Sequence, residues 1–111
     1  MAVGRISEQN GRIIIALEGE IDLENAPMVR QALLDHLKSG KNLLIDMAHV
    51  SYIDSSGIAS LVEGLQVARK HGRDLALVSV SPRAHRVLEL ARLDKVFTIH
   101  ADLSAALGGN A

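Results

Sequence analysis

Three features of the sequence predict an α/β domain with a mixed, mostly parallel sheet, an N-terminal antiparallel hairpin and about four helices. The first is the apolar run Ile13-Ile14-Ile15-Ala16-Leu17 behind the turn signal Gln9-Asn10-Gly11. The second is the later alternation of short apolar runs with amphipathic stretches, the pattern of strands joined by right-handed helical crossovers. The third is size. A chain of 111 residues with 48% hydrophobic content closes one core and not two, so residues 1–111 form a single domain. One Phe, one Tyr and no Trp make that core aliphatic.

Taken in order, Met1 to Ser7 forms a first strand marked by Val3 and Ile6, and Arg12 to Glu18 forms the second. Gly19-Glu20-Ile21-Asp22 then leaves the sheet. Asn25 is placed as the N-cap of a first helix, because Pro27 falls in the first turn, where a missing N–H has no consequence. Val29, Ala32, Leu33 and Leu37 give that helix its buried stripe, and Gly40 ends it. Lys41 to Asp46 is the third strand, followed by a loop. A second helix runs from about Ser55 to Lys70, with Gly72 terminating it. Leu75 to Val80, apolar on both faces, is a strand expected to be central. Ser81 caps and Pro82 begins a third helix, with Ala84, Val87, Leu88 and Ala91 inward. Val96 to His100 is a short last strand at an edge, Asp102 caps a short helix through Leu107, and Gly108 to Ala111 are expected to fray.

The chemistry concentrates where the third strand gives way to the second helix. In Asp54-Ser55-Ser56-Gly57-Ile58, either Asp54 or Ser55 is the natural N-cap, its side-chain oxygen accepting from a free backbone N–H of the first turn. Ile58, Leu61, Val62, Leu65 and Ala68 recur at helical spacing behind it. A helix start also favours an anion such as phosphate, and Gly57 is read as leaving open space beside the hydroxyls. Two readings follow, a cap alone or a cap that also presents a modifiable hydroxyl. If the strands are parallel, their carboxyl ends gather Asp22, Asp46, Ser55, Ser56, Ser79 and Ser81 at one edge of the sheet, the usual place for binding chemistry.

Asp54-Ser55-Ser56-Gly57-Ile58, between a short apolar strand and a helix, resembles the signature of the STAS domain of bacterial anti-sigma-factor antagonists. The resemblance runs from Ile13 to about Leu107 and takes in Gly19-Glu20-Ile21-Asp22, Asp46 and Ser81-Pro82. It implies a STAS-like fold and a phosphoacceptor at Ser55, the first hydroxyl after the aspartate, with Ser56 as the alternative. Asp22, Asp46, Asp54, Ser56 and Gly57 would surround that site. By the same resemblance the unphosphorylated protein binds an anti-sigma factor that is also a serine protein kinase. Phosphorylation at Ser55 blocks that binding, and a serine phosphatase reverses it. Within the family the alternative role is an unphosphorylated subunit that braces the ATPase of a lipid-trafficking ABC transporter. Ala59 stands where glycine is common in the family, and Glu63-Gly64 interrupts a helix face that is often more apolar.

Other classes find little support. Twelve basic and thirteen acidic residues spread along the chain leave a net charge of −1, no basis for nucleic-acid or anionic-lipid binding. The absence of cysteine excludes disulfides and thiol catalysis. No apolar run approaches about eighteen residues and no signal pattern opens the chain, so a cytoplasmic protein without membrane insertion is expected. His49, with Asp22 or Asp46, could in principle serve a serine nucleophile, but Asp-Ser-Ser-Gly-Ile is not the Gly-x-Ser-x-Gly elbow. His36, His49, His71, His85 and His100 lack zinc-ligand spacing. A phospho-aspartyl receiver would open strand-helix with an acidic pair, whereas this chain opens with a hairpin. No catalytic residue, metal or cofactor is therefore expected: the domain is a substrate and not an enzyme.

Overall fold

The computed structural model describes residues 2–108. Asn10 and Gly11 both take positive φ, 52° and 75°, the backbone of a primed two-residue turn whose twist suits a hairpin. Strand β1 (Val3–Gln9) therefore folds back antiparallel on β2 (Arg12–Ile21). The remaining elements are α1 (Ala26–Leu37), β3 (Leu43–Ile53), α2 (Ser55–Lys70), β4 (Leu75–Val78), α3 (Pro82–Leu90), β5 (Thr98–His100) and α4 (Leu103–Ala106). The strands lie in the order β1-β2-β3-β4-β5, parallel from β2 onward.

That order never reverses, so right-handed crossovers bring α1, α2 and α3 to the same face of the sheet. There Ile13, Ile15, Leu17 and Ile21 of β2 and Leu43, Ile45, Met47, Val50 and Ile53 of β3 meet Val29, Leu33, Leu61, Leu65 and Leu88 from the three helices. Among the described residues, the opposite face is covered only near its base, where Ala106, Leu103 and Leu107 close over Ile14, Leu44, Ala76 and Val78. The Arg12 guanidinium donates to the Ala106 carbonyl at 3.1 Å and fastens that short helix.

Several boundaries differ from the sequence expectation. β2 does not leave the sheet at Gly19 but continues to Ile21, and β3 does not end at Asp46 but continues to Ile53, the two staying paired throughout. Register shifts between Ala16/Glu18 and Gly19/Glu20, the latter at the positive φ of Gly19, break the alternation that marks a strand. β4 ends at Val78, because Ser79 turns out of the strand with φ 54°. It is buried on both faces but lies next to the edge strand β5, with β3 at the centre. Asn25 occupies the N-cap position of α1 without capping it, and Ala91 is exposed at the end of α3. Met1 and the expected fraying beyond Gly108 lie outside the described residues.

Two glycines of α2 stand in close contact with their neighbours, and they differ in how far those neighbours can give. A Cβ on Gly57 would stand 2.6 Å from Ile53 Cγ1 and 2.7 Å from Ile21 Cγ2, atoms of buried β-branched side chains with little rotamer freedom. The expected open space at Gly57 is thus absent, and helix and sheet touch there. At Gly64 the nearest atoms are Leu33 Cδ1 at 2.9 Å and Leu75 Cδ1 at 3.0 Å, ends of flexible side chains. Beside it Glu63 pairs with Arg30 of α1 at 2.8 Å, so the Glu63-Gly64 interruption is where α2 packs on α1. Gly57→Ala is expected to cost about 1–3 kcal/mol through overpacking. Gly64→Ala should be close to neutral, since the methyl gains about 1 kcal/mol of helix propensity. Urea midpoints of the two variants check the order.

Candidate functional site

The long β2–β3 ribbon extends beyond β4 and β5 and carries the start of α2 at its tip. The chain leaves β3 at Asp54 in extended conformation, φ −101° and ψ −173°, and enters the helix at Ser55. The Asp54 N–H donates to the Ile21 carbonyl at 3.0 Å, tying this corner to the end of β2. Asp54 Oδ1 accepts from the N–H of Ser56 at 2.9 Å, the N–H of Gly57 at 3.1 Å and the Ser56 hydroxyl at 2.6 Å. Asp54, and not Ser55, is therefore the cap. Its carboxyl is held below the ordinary aspartate value, chiefly by the Ser56 hydroxyl and next by the Gly57 N–H. Partial burial opposes this, and the N–H groups of Ser56 and Leu23 contribute less.

The two serines consequently differ. The Ser56 hydroxyl is half-buried and committed to Asp54. Ser55, the first residue of α2, is exposed, and its hydroxyl has no hydrogen-bond partner among the described residues. One turn further on, Ser60 is buried, donating to the Ala26 carbonyl at 3.1 Å and the Ser56 carbonyl at 3.2 Å. It holds α2 against the start of α1.

Asp22 lies beside this corner in the turn between β2 and α1. Its Oδ1 accepts from the N–H groups of Glu24 at 3.0 Å and Asn25 at 3.2 Å. Asn25 closes the turn in return: its Oδ1 accepts from the Asp22 N–H and its Nδ2 donates to the Glu20 carbonyl, each at 2.8 Å. That second duty explains why its side chain does not cap α1. The turn leaves Leu23 exposed at 77%, and Tyr52, next but one before Asp54, exposed at 44%. Leu23, Tyr52 and Ser60 are not among the residues the sequence marks, and Asn25 is marked there only as a helix cap. An apolar residue inside the polar turn Asp22–Asn25 was the one available signal.

Asp46 is not brought to the site. Its Oδ1 accepts from the Ala48 N–H at 3.0 Å in the body of β3, level with Ala16 and Val78. The strand runs on from Met47 to Ile53 before Asp54, about 20–25 Å at the usual rise. Ser79 and Ser81 also stop short of the tip. Ser81 caps α3 through the Ala84 N–H at 3.2 Å and reaches the Val50 carbonyl at 3.5 Å, beside the middle of the ribbon. The expected gathering of three segments reduces to two, the Asp22 turn and the Asp54 corner. No group of three or more metal-ligating side chains occurs among the described residues.

Because the Ser56 hydroxyl is the largest influence on Asp54, Ser56→Ala should raise the Asp54 pKa toward its ordinary value, read by NMR titration of its carboxyl. A carboxyl depressed in the folded state adds stability above its unfolded pKa and loses it as pH falls through the folded value. The stability lost in Ser56→Ala should therefore be full at neutral pH and vanish well below about pH 4. Ser55→Ala, which removes no cap, should stay within about 0.5 kcal/mol of wild type, against about 1 kcal/mol for Asp54→Ala.

Residues 5–106 match the STAS domain family. The chain is similar to the anti-sigma-B factor antagonist of Listeria monocytogenes, 34% identical over 99 residues that cover 88% of this chain and 86% of that protein. It is similar also to the anti-sigma-B factor antagonist of Bacillus subtilis, 30% identical over 96 residues, 86% of this chain and 88% of that one. The structure of an anti-sigma factor antagonist from Mycobacterium paratuberculosis superposes with a TM-score of 0.85 at 27% identity, over 94% of this chain and 89% of that chain. A match across nearly the whole chain, to relatives of its own length and to a structure of the same fold, makes this protein a member of the STAS domain family.

Proposed function

We propose that this protein is an anti-sigma-factor antagonist acting by partner switching, with Ser55 as its phosphorylation site. The observation that carries the site is the difference between the two serines: Ser55 presents an exposed, unengaged hydroxyl on the first turn of α2, whereas the Ser56 hydroxyl is tied to Asp54 at 2.6 Å. The partner role rests on the anti-sigma-B factor antagonists to which the chain is similar. The unphosphorylated protein binds an anti-sigma factor and so releases a sigma factor. The anti-sigma factor is a serine kinase that transfers the terminal phosphoryl group of its ATP to Ser55 Oγ, and a serine phosphatase removes it. The protein is the substrate in both steps and supplies no catalytic group.

Physical chemistry gives the switch its direction. Phosphate adds about −1.5 to −2 charge and three acceptor oxygens at Ser55. The α2 start stabilises an anion there through its macrodipole, so the fold tolerates the modification. A partner docked over the same turn meets that charge beside Asp54 and Asp22, with Leu23 and Tyr52 as the apolar part of the contact. Attraction through buried apolar area is then opposed by a charge that desolvates poorly. Asp46 lies too far down β3 to take part.

Incubation with the cognate kinase and ATP, followed by mass spectrometry, tests the site. Ser55→Ala should abolish phosphorylation and Ser56→Ala only reduce it; phosphate mapped to Ser56 in the wild type would overturn the assignment. The linkage should resist hydroxylamine, as a phosphoserine does and an acyl phosphate does not. Binding titrations test the switch. Ser55→Asp should weaken kinase binding by more than about tenfold, equivalent to about 1.4 kcal/mol, while Ser55→Ala binds nearly as wild type. Added salt should partly restore Ser55→Asp, since repulsion between exposed charges is screened over about 8–10 Å.

A further inference from the structure

At the opposite end of α2, about 20 Å from Ser55 by helical rise, the C-terminal turns of α1 and α2 diverge and leave a pocket of about 510 Å³. That volume falls within the roughly 300–1,000 Å³ of small-molecule sites. Leu34, Leu37 and Val67 supply an apolar wall, and Lys38, His71 and Arg73 supply its polar rim, with Gly40 as the only other lining residue. Among the described residues, no carboxylate lines it.

Cations at helix C-termini commonly serve the helices themselves, by donating to the last carbonyls. Here backbone groups already do so. The N–H groups of His71, Gly72 and Arg73 reach the carbonyls of Val67, Ala68 and Arg69, and those of Ser39 and Gly40 reach His36 and Leu37. The Ser39 hydroxyl also donates to the His36 carbonyl at 2.7 Å. Among the described residues, the side chains of Lys38, His71 and Arg73 donate no hydrogen bond, and the one ion pair among them is a loose contact of Lys38 with Asp35 at 3.8 Å. The Arg73 guanidinium lies alongside Gly40, 3.6 Å from where a Cβ would stand, with its donors uncommitted.

We propose that this pocket is a binding site for a small amphiphilic carboxylate. Its apolar body lies between Leu34, Leu37 and Val67, and its anionic head is held by Arg73 with Lys38 and His71. An apolar wall alone would suit many occupants. His71 and Arg73, which have no charged partner among the described residues, and Lys38, with only the loose contact to Asp35, select for an anion on one rim, and the planar fork of Arg73 suits a carboxylate in particular. The site is independent of the phosphorylation proposed at Ser55, with which it shares only α2.

Titration of the ¹⁵N-labelled protein with sodium octanoate, followed by NMR, tests it, with 1-octanol as the uncharged analogue. Octanoate should shift the amides of Leu34, Leu37, Gly40 and Val67 saturably, with a Kd below about 1 mM. Arg73→Gln should weaken octanoate by about tenfold, the loss of one charge-assisted contact, and octanol by less than twofold. Lys38→Gln should act in the same sense, and gives a second reading if Arg73→Gln disturbs the fold. Val67→Phe should fill the cavity and abolish both. No saturable shift, shifts centred elsewhere on the molecule, or equal loss of octanoate and octanol in the rim variants would overturn the proposal.

Discussion

The arrangement of the site depends on one close approach, the contact of the first turn of α2 with the tip of the β2–β3 ribbon at Gly57. With Ile21 and Ile53 packed under that glycine, the helix start is fixed in position and direction relative to the sheet. Asp54 is then held at both ends: its N–H by the Ile21 carbonyl, its carboxylate by Ser56 and Gly57. The carboxylate's bonds from the N–H groups of Ser56 and Gly57 satisfy backbone donors that a helix terminus would otherwise leave unpaired. The serine that follows faces solvent because all the inward positions are taken.

This division of labour separates structural and chemical duties that one residue type could have shared. A hydroxyl used as a cap is unavailable to a partner, and a carboxylate cap leaves the adjacent hydroxyl unengaged. Under the proposed phosphorylation, the acidic cap also frees Ser55 to vary in charge. The helix gains from an anion at its start, yet retains its cap when that anion is absent. Ser60, buried one helical turn further in, anchors α2 to α1 through the Ala26 carbonyl, so the Asp22 turn and the Asp54 corner share one rigid support.

Much of this was legible in the sequence. The hairpin turn, the crossover order, Ser81 and Asp102 as caps, and the span of α2 all followed from local chemistry that the structure leaves intact. The two misread strands failed for a common reason. In β3 the buried positions Ile45, Met47, Val50 and Ile53 lose the two-residue period at two successive register shifts. The residues between them, Ala48, His49, Ser51 and Tyr52, face the uncovered side of the sheet and read as a loop. A strand ending at Asp46 would put that carboxylate at the sheet's edge beside Ser55, and the longer strand does not. Gly57 was misjudged because a missing side chain signals either room or its absence, and only the neighbours Ile21 and Ile53 decide which. The choice between Asp54 and Ser55 as cap rested on the geometry of a single corner, which no spacing rule resolves.

The sequential strand order has a consequence for how the molecule is assembled. Each strand pairs only with those before and after it in the chain, so no strand has to insert between two that are already joined. Sheet growth can follow the direction of synthesis, adding one crossover unit at a time to a seed formed by the hairpin. The hairpin pairing is local, and each parallel pairing closes over 22–32 residues, the span of a single crossover unit. The exception is α4, which returns from the far end of the chain to cover Ile14 and to place Ala106 against Arg12. Until it arrives, Ile14, Leu44 and Ala76 stay open to water. In a chain emerging from the ribosome, that apolar strip is the surface most in need of protection from premature association.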